Sequence, residues 1–170
     1  PEISPSDLQE LRRVLRERLG VRSGATCHSG AFDLRRFEAT RTLVNQQQVY
    51  DSLSELGYVD ASPSASGSHP TEQLRRLSSC QRAVFVFGSS IANAIVLPPG
   101  SRLVVISGNE TKELDVWRRF AEGLNLRYRE VFAQSVGRRS TPVGHNLHMK
   151  LGVKWHVDMR ELQSALENPS

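Results

Sequence analysis

Ala83-Val84-Phe85-Val86-Phe87-Gly88-Ser89-Ser90-Ile91-Ala92-Asn93-Ala94-Ile95-Val96-Leu97-Pro98-Pro99-Gly100 is the densest signal in the chain. Residues 83–87 are an uninterrupted apolar run of strand length, the pattern of a strand covered on both faces in a parallel sheet. Gly88-Ser89-Ser90 turns the chain, 91–97 continues as an apolar helix, and Pro98-Pro99-Gly100 stops it. Leu103-Val104-Val105-Ile106 then supplies a second buried strand.

Upstream, Ser6 and Asp7 open a helix with Leu8, Leu11, Leu15 and Leu19 on one face and Gly20 as its C-cap, leaving Arg12, Arg13, Arg16 and Arg18 as solvated surface. Residues 21–30 read as a loop, 31–34 as a short strand and 35–42 as a basic loop. A second helix begins at Asn45, with Gln48 in capping-box position, and stops at Gly57; Tyr58-Val59-Asp60 is a strand. After a polar loop at 61–70, a short helix over 71–79 turns Leu74 and Leu77 inward. Downstream, 112–123 is a helix, 126–132 a half-buried strand and 134–144 a polar loop. His156 and Val157 then lead into a last helix with a capping box at Asp158 and Glu161. Strands alternating with helices call for α/β: a Rossmann-like parallel sheet flanked by helices, with right-handed crossovers. The expected organisation is an N-terminal helix and loop over 1–30 leading into one domain over 31–170.

Length and composition agree with a single globular domain: 170 residues, 38% hydrophobic and 24% charged. No apolar run approaches the roughly 20 residues of a membrane span. Cys27 and Cys80 are too sparse for a disulfide framework, so a reducing, cytoplasmic setting is expected, and the start at Pro1 suggests a fragment. Of the 22 basic residues only Lys112, Lys150 and Lys154 are lysines. Arginine's planar fork suits phosphates and carboxylates, and codon bias is the competing explanation.

Ligands of such sheets bind beyond the carboxyl ends of the strands. Gly88, Ser89 and Ser90 occupy one such turn, where backbone N–H groups, hydroxyls and a helix N-terminus suit a phosphate; a helix cap is the alternative role for Ser89. Arg35, Arg36 and Arg41 follow the first strand and suit a diphosphate, with a solvated basic loop as the alternative. Asn93, polar in an apolar helix, either fastens a loop or touches a ligand. His145, His148 and His156 do not form a metal set: glycine and asparagine break the helix that would align them. GxxxxGK[ST], GxGxxG and GxSxG are all absent. Aromatic residues make up only 6% and do not interleave with the basic loop, which argues against a single-stranded nucleic-acid platform.

The stretch 83–101 resembles the signature of glycosyltransferase family 61, seen also in capsular polysaccharide biosynthesis proteins of bacteria: a strand, His-Gly-Ala-Gly-Leu-x-Asn, an apolar helix and Pro-Pro-Gly. Arg35-Arg36 through Arg41 and Leu43-Val44-Asn45 are similar to that family's basic stretch, and 117–128 and 155–166 to its C-terminal portion. The resemblance implies the C-terminal half of a GT-B enzyme, lacking an N-terminal domain. It also implies an inverting, metal-independent transfer from a nucleotide-sugar donor to a glycan or lipid-linked acceptor, with no cofactor, no nucleic acid and a cytoplasmic or membrane-peripheral location. Carried over, Gly88, Ser89, Ser90 and Asn93 lie near the donor and Arg35, Arg36 and Arg41 near its diphosphate. Phe87 stands where the signature has His, Ser90 where it has Gly, and Val105 where an acidic residue is usual. A catalytically degenerate nucleotide- or partner-binding domain is therefore the alternative.

Overall fold

The computed structural model describes residues 4–21, 30–34, 41–62, 69–108, 114–140 and 151–167. Along the chain these form α1 (Pro5–Arg18), β1 (Gly30–Asp33), β2 (Arg41–Leu43), α2 (Gln46–Glu55), β3 (Tyr58–Asp60), α3 (Pro70–Ser78) and β4 (Arg82–Val86). A 3-10 helix (Ser89–Val96), β5 (Arg102–Gly108), α4 (Leu114–Gly123), β6 (Arg127–Ser140), β7 (Leu151–His156) and α5 (Met159–Glu167) follow.

The seven strands make one sheet in the order β2-β7-β6-β5-β4-β1-β3. Every neighbouring pair is parallel except β6 with β7. Setting β2 and β7 aside, the parallel strands run β3-β1-β4-β5-β6, a doubly wound order that reverses between β1 and β4. The fold is Rossmann-like α/β. Its centre is the apolar run read from the sequence: 83–87 and 103–106 are all buried.

Register settles which helices cover which face. Asp33, Phe85 and Val105 are partners and share one face, while Phe32, Val84 and Val104 share the other. Gln73 of α3 donates to Asp33, whereas Tyr50 of α2 meets Phe32 edge-to-face at 5.2 Å. Hence α2 and α3 lie on opposite faces.

Four expectations are corrected. Residues 41 and 42, read as the end of a basic loop, begin β2, which pairs with Val153 to Trp155. Residues 134–140, read as loop, extend β6 and pair with β7, which the sequence reading also missed. The polar composition of 134–140 hides the end of β6, and β2 is three residues long with its partner more than a hundred residues away. The apolar helix begins earlier than expected and is wound as a 3-10 helix. The arginines of α1 are not uniformly solvated. Arg12 is buried and donates to Leu124 O, and Arg16 Nη1 donates to Ser78 O and Val96 O, each at 2.6 Å. Arg13 and Arg18 are exposed as expected, Arg13 pairing with Glu10 and Glu17.

The cap at Asn45 also differs. Its side chain makes no cap bond to α2; instead Nδ2 donates to Val157 O at 2.9 Å and Oδ1 accepts from Val157 N at 3.1 Å. Asp158 does cap α5, accepting from Arg160 N and Glu161 N, but Glu161 reaches across to Phe132 N rather than closing a box.

Candidate functional site

The crevice where the strand order reverses is framed by the ends of β1 and β4. The Gly88 turn stands there, and Leu34 is the last described residue before Arg35 and Arg36, which lie outside the described residues. Gly88 takes φ 156° and ψ −174°, a combination that belongs to glycine. Phe87 N still reaches Ile106 O at 2.8 Å, so the ladder runs right up to the turn.

The winding of the helix behind that turn follows from its sequence. At three residues per turn, every third side chain falls on one line. Ile91, Ala94 and Leu97 make a fully buried line, which is why period three serves this segment better than 3.6. Ser90 and Asn93 share the second line and are half-buried, while Ser89 and Ala92 are exposed on the third. Ser90 Oγ is buried without a hydrogen-bond partner among the described residues. The first N–H groups of such a helix lack intrahelical acceptors. Ser90 and Asn93 thus stand in line behind the turn, next to amide donors.

Sequence reasoning missed three neighbours. Asp33, at the end of β1, is only 3% exposed, and Gln73 Nε2 donates to its Oδ2 at 3.3 Å. A carboxylate ending an otherwise apolar strand was the available signal. Gln73 carried none, since a glutamine on a helix is usually solvated. Ser107, which follows the Ile106 that pairs with Val86, is fully buried and its Oγ has no partner among the described residues. Phe87 is 2% exposed and Val105 is buried in β5, so two of the three departures from the signature are core side chains, the third being the half-buried Ser90. Arg41 begins β2; β7, β6, β5 and β4 stand between it and β1 in the sheet order. His156 ends β7, and His145 and His148 lie outside the described residues.

Among the described residues no cluster of His, Cys, Asp or Glu could hold a metal ion, and no helix is long and apolar enough to cross a membrane. No protein-family model and no curated protein matches the chain.

Proposed function

We propose that this domain binds the diphosphate of a nucleotide sugar over the carboxyl ends of β1 and β4 and forms one wall of a glycosyltransferase of polysaccharide or cell-envelope biosynthesis. The observation that carries the reading is a coincidence of place: the stretch 83–101, chosen on its residues, lands at the reversal of strand order. Gly88 lets a ligand approach the backbone, Ser90 and Asn93 supply donors, and Arg35 and Arg36 are the proposed counter-charges for the departing diphosphate. The reaction class needs a base for the acceptor hydroxyl and stabilisation of the leaving group. Phe87 serves neither purpose, so the base comes from elsewhere, and the opposite wall of a GT-B cleft is the proposed source.

Calorimetry and transfer assays with a panel of nucleotide sugars test the proposal. Binding that weakens in Ser90→Ala or Asn93→Ala, with transfer once the opposite wall is supplied, is the expected result. Binding with no transfer in any combination favours the second reading, a degenerate nucleotide-binding domain, which the burial of Phe87 supports. Absence of binding rejects both.

A further inference from the structure

The opposite edge of the sheet carries a different feature. The first residues of β4, β5 and β6 are Arg82, Arg102 and Arg127, in register with one another. Register partners of parallel strands rise from the same face, about 4.8 Å apart, so the three arginines form a row roughly 10 Å long. Arg102, at its centre, is 5% exposed; its Nη1 donates to Leu166 O at 2.6 Å and Ala165 O at 3.3 Å, in the last turn of α5. Arg127 Nε donates to Gly100 O at 3.0 Å. Among the described residues, none of the ion pairs involves Arg82, Arg102 or Arg127.

Tyr58, the first residue of β3, completes the group. Its ring lies over Gly30, where a β-carbon would come within 2.6 Å of Tyr58 Cδ1. Its hydroxyl is buried with no acceptor for its hydrogen among the described residues; Arg82, which carries only donors, lies within reach of the oxygen, and Arg102 acts on it through its charge. Burial pushes that hydroxyl up from its ordinary pKa, so at neutral pH it is a donor waiting for an acceptor. Desolvation lowers the pKa of the Arg102 guanidinium, and the charges of Arg127 and Arg82 lower it further. Like charges this close repel one another, and a buried donor without an acceptor costs stability; an anion relieves both.

We propose that Arg82, Arg102, Arg127 and Tyr58 form a second anion site, at the edge of the sheet opposite the crevice, for an oxyanion of the phosphate class carrying two or more charges. The length of the row suits a pyrophosphate or a pair of neighbouring phosphates better than a single carboxylate. Arg102 and Tyr58 donate from the centre, and Arg82 and Arg127 close on it from either side.

Pyrophosphate titrated into the intact chain by calorimetry is the first arm of the test, and sedimentation with phosphatidylglycerol or phosphatidylcholine vesicles the second. The double variant Arg82→Gln/Arg127→Gln removes only exposed side chains, and Tyr58→Phe removes one oxygen, so both leave the fold intact. The expected result is saturable pyrophosphate binding that weakens about tenfold or more in the double variant and several-fold in Tyr58→Phe, with Arg13→Gln, an exposed arginine of α1, unchanged. Binding to phosphatidylglycerol vesicles alone, lost in the double variant, keeps the site and makes its ligand a lipid headgroup. Binding that follows Ser90 and Asn93 instead, or no arginine-dependent binding in either arm, overturns the proposal.

Discussion

The indole of Trp155 occupies the space where Gly108 would carry a side chain: a β-carbon built on Gly108 would stand 2.6 Å from Trp155 Cε2. Gly108 ends β5 and Trp155 is the next-to-last residue of β7, strands separated in the sheet by β6, so their contact records how far the sheet curls. Gly108→Ala is expected to destabilise the protein by about 1–3 kcal/mol through overpacking. In a Trp155→Phe background the same substitution should cost less, and a double-mutant cycle by urea denaturation measures the difference. Additive costs would mean that the indole is not the obstacle.

Arg16 ties α1 to the ends of α3 and the 3-10 helix through two carbonyls. Arg16→Met keeps much of the stem and removes the donors, leaving Ser78 O and Val96 O without the guanidinium; a loss of about 2 kcal/mol is expected. Arg13→Met removes only exposed ion pairs and should leave the denaturation midpoint within error. Equal effects at the two positions would contradict the difference in their surroundings.

Asn45 grips both polar groups of Val157. Asn45→Ala should cost about 1–2 kcal/mol and expose the Val157 amide to exchange. Asn45→Asp keeps the acceptor for Val157 N but faces Val157 O with a carboxylate, so it should retain exchange protection while still losing stability. Amide hydrogen exchange at Val157 separates the two.

Burial raises the pKa of both Tyr58 and Tyr128, with Glu130 adding to the effect at Tyr128 and Arg82 and Arg102 opposing it at Tyr58. The unfolded chain ionises its tyrosines near pH 10. The stability these residues contribute is therefore complete below about pH 10 and is lost as pH climbs toward their higher folded values. Unfolding free energy should fall over that alkaline window, and the fall should be shallower in Tyr58→Phe/Tyr128→Phe. Absorbance of tyrosinate should show these two rings ionising together with unfolding.

Phe87→His restores the residue type of the resembled signature at a position that is 2% exposed. An imidazole there replaces a buried ring and brings polar nitrogens into the core, at a cost of about 2–4 kcal/mol. Nucleotide-sugar transfer should not appear in this variant alone. Transfer by a stably folded Phe87→His protein would show that the histidine is all the site lacks.

The central strands were legible because burial on both faces leaves a continuous apolar run, as in 83–87 and 103–106. The helices were legible where apolar residues recur at helical spacing, as with Leu162 and Leu166. What escaped was structure without an apolar run of its own: β2 is a three-residue strand whose partner β7 lies more than a hundred residues away, β7 alternates over only six residues, and the second half of β6 is largely polar. The crevice was half legible. Gly88, Ser90 and Asn93 were visible as small and polar interruptions, whereas Ser107 and Gln73 matter only through neighbours that the fold brings to them. The surplus of arginine reads differently once placed. Arg12, Arg16, Arg75, Arg76, Arg102 and Arg127 all donate to main-chain carbonyls, a use for which a fork of donors on a long stem is suited.

The winding of the segment Ser89–Val96 also sets a length. Eight residues rise about 16 Å as a 3-10 helix and about 12 Å as an α-helix. With Val96 O held by Arg16, the far end is anchored, and rewinding to α would draw the serine turn back by roughly 4 Å, about the width of a phosphate group, and swing Ser90 out of line with Asn93 by about 60°. The reach of this turn into the crevice is therefore a property of helical pitch, and a substitution anywhere along the buried line of Ile91, Ala94 and Leu97 that favours the wider coil would shorten it.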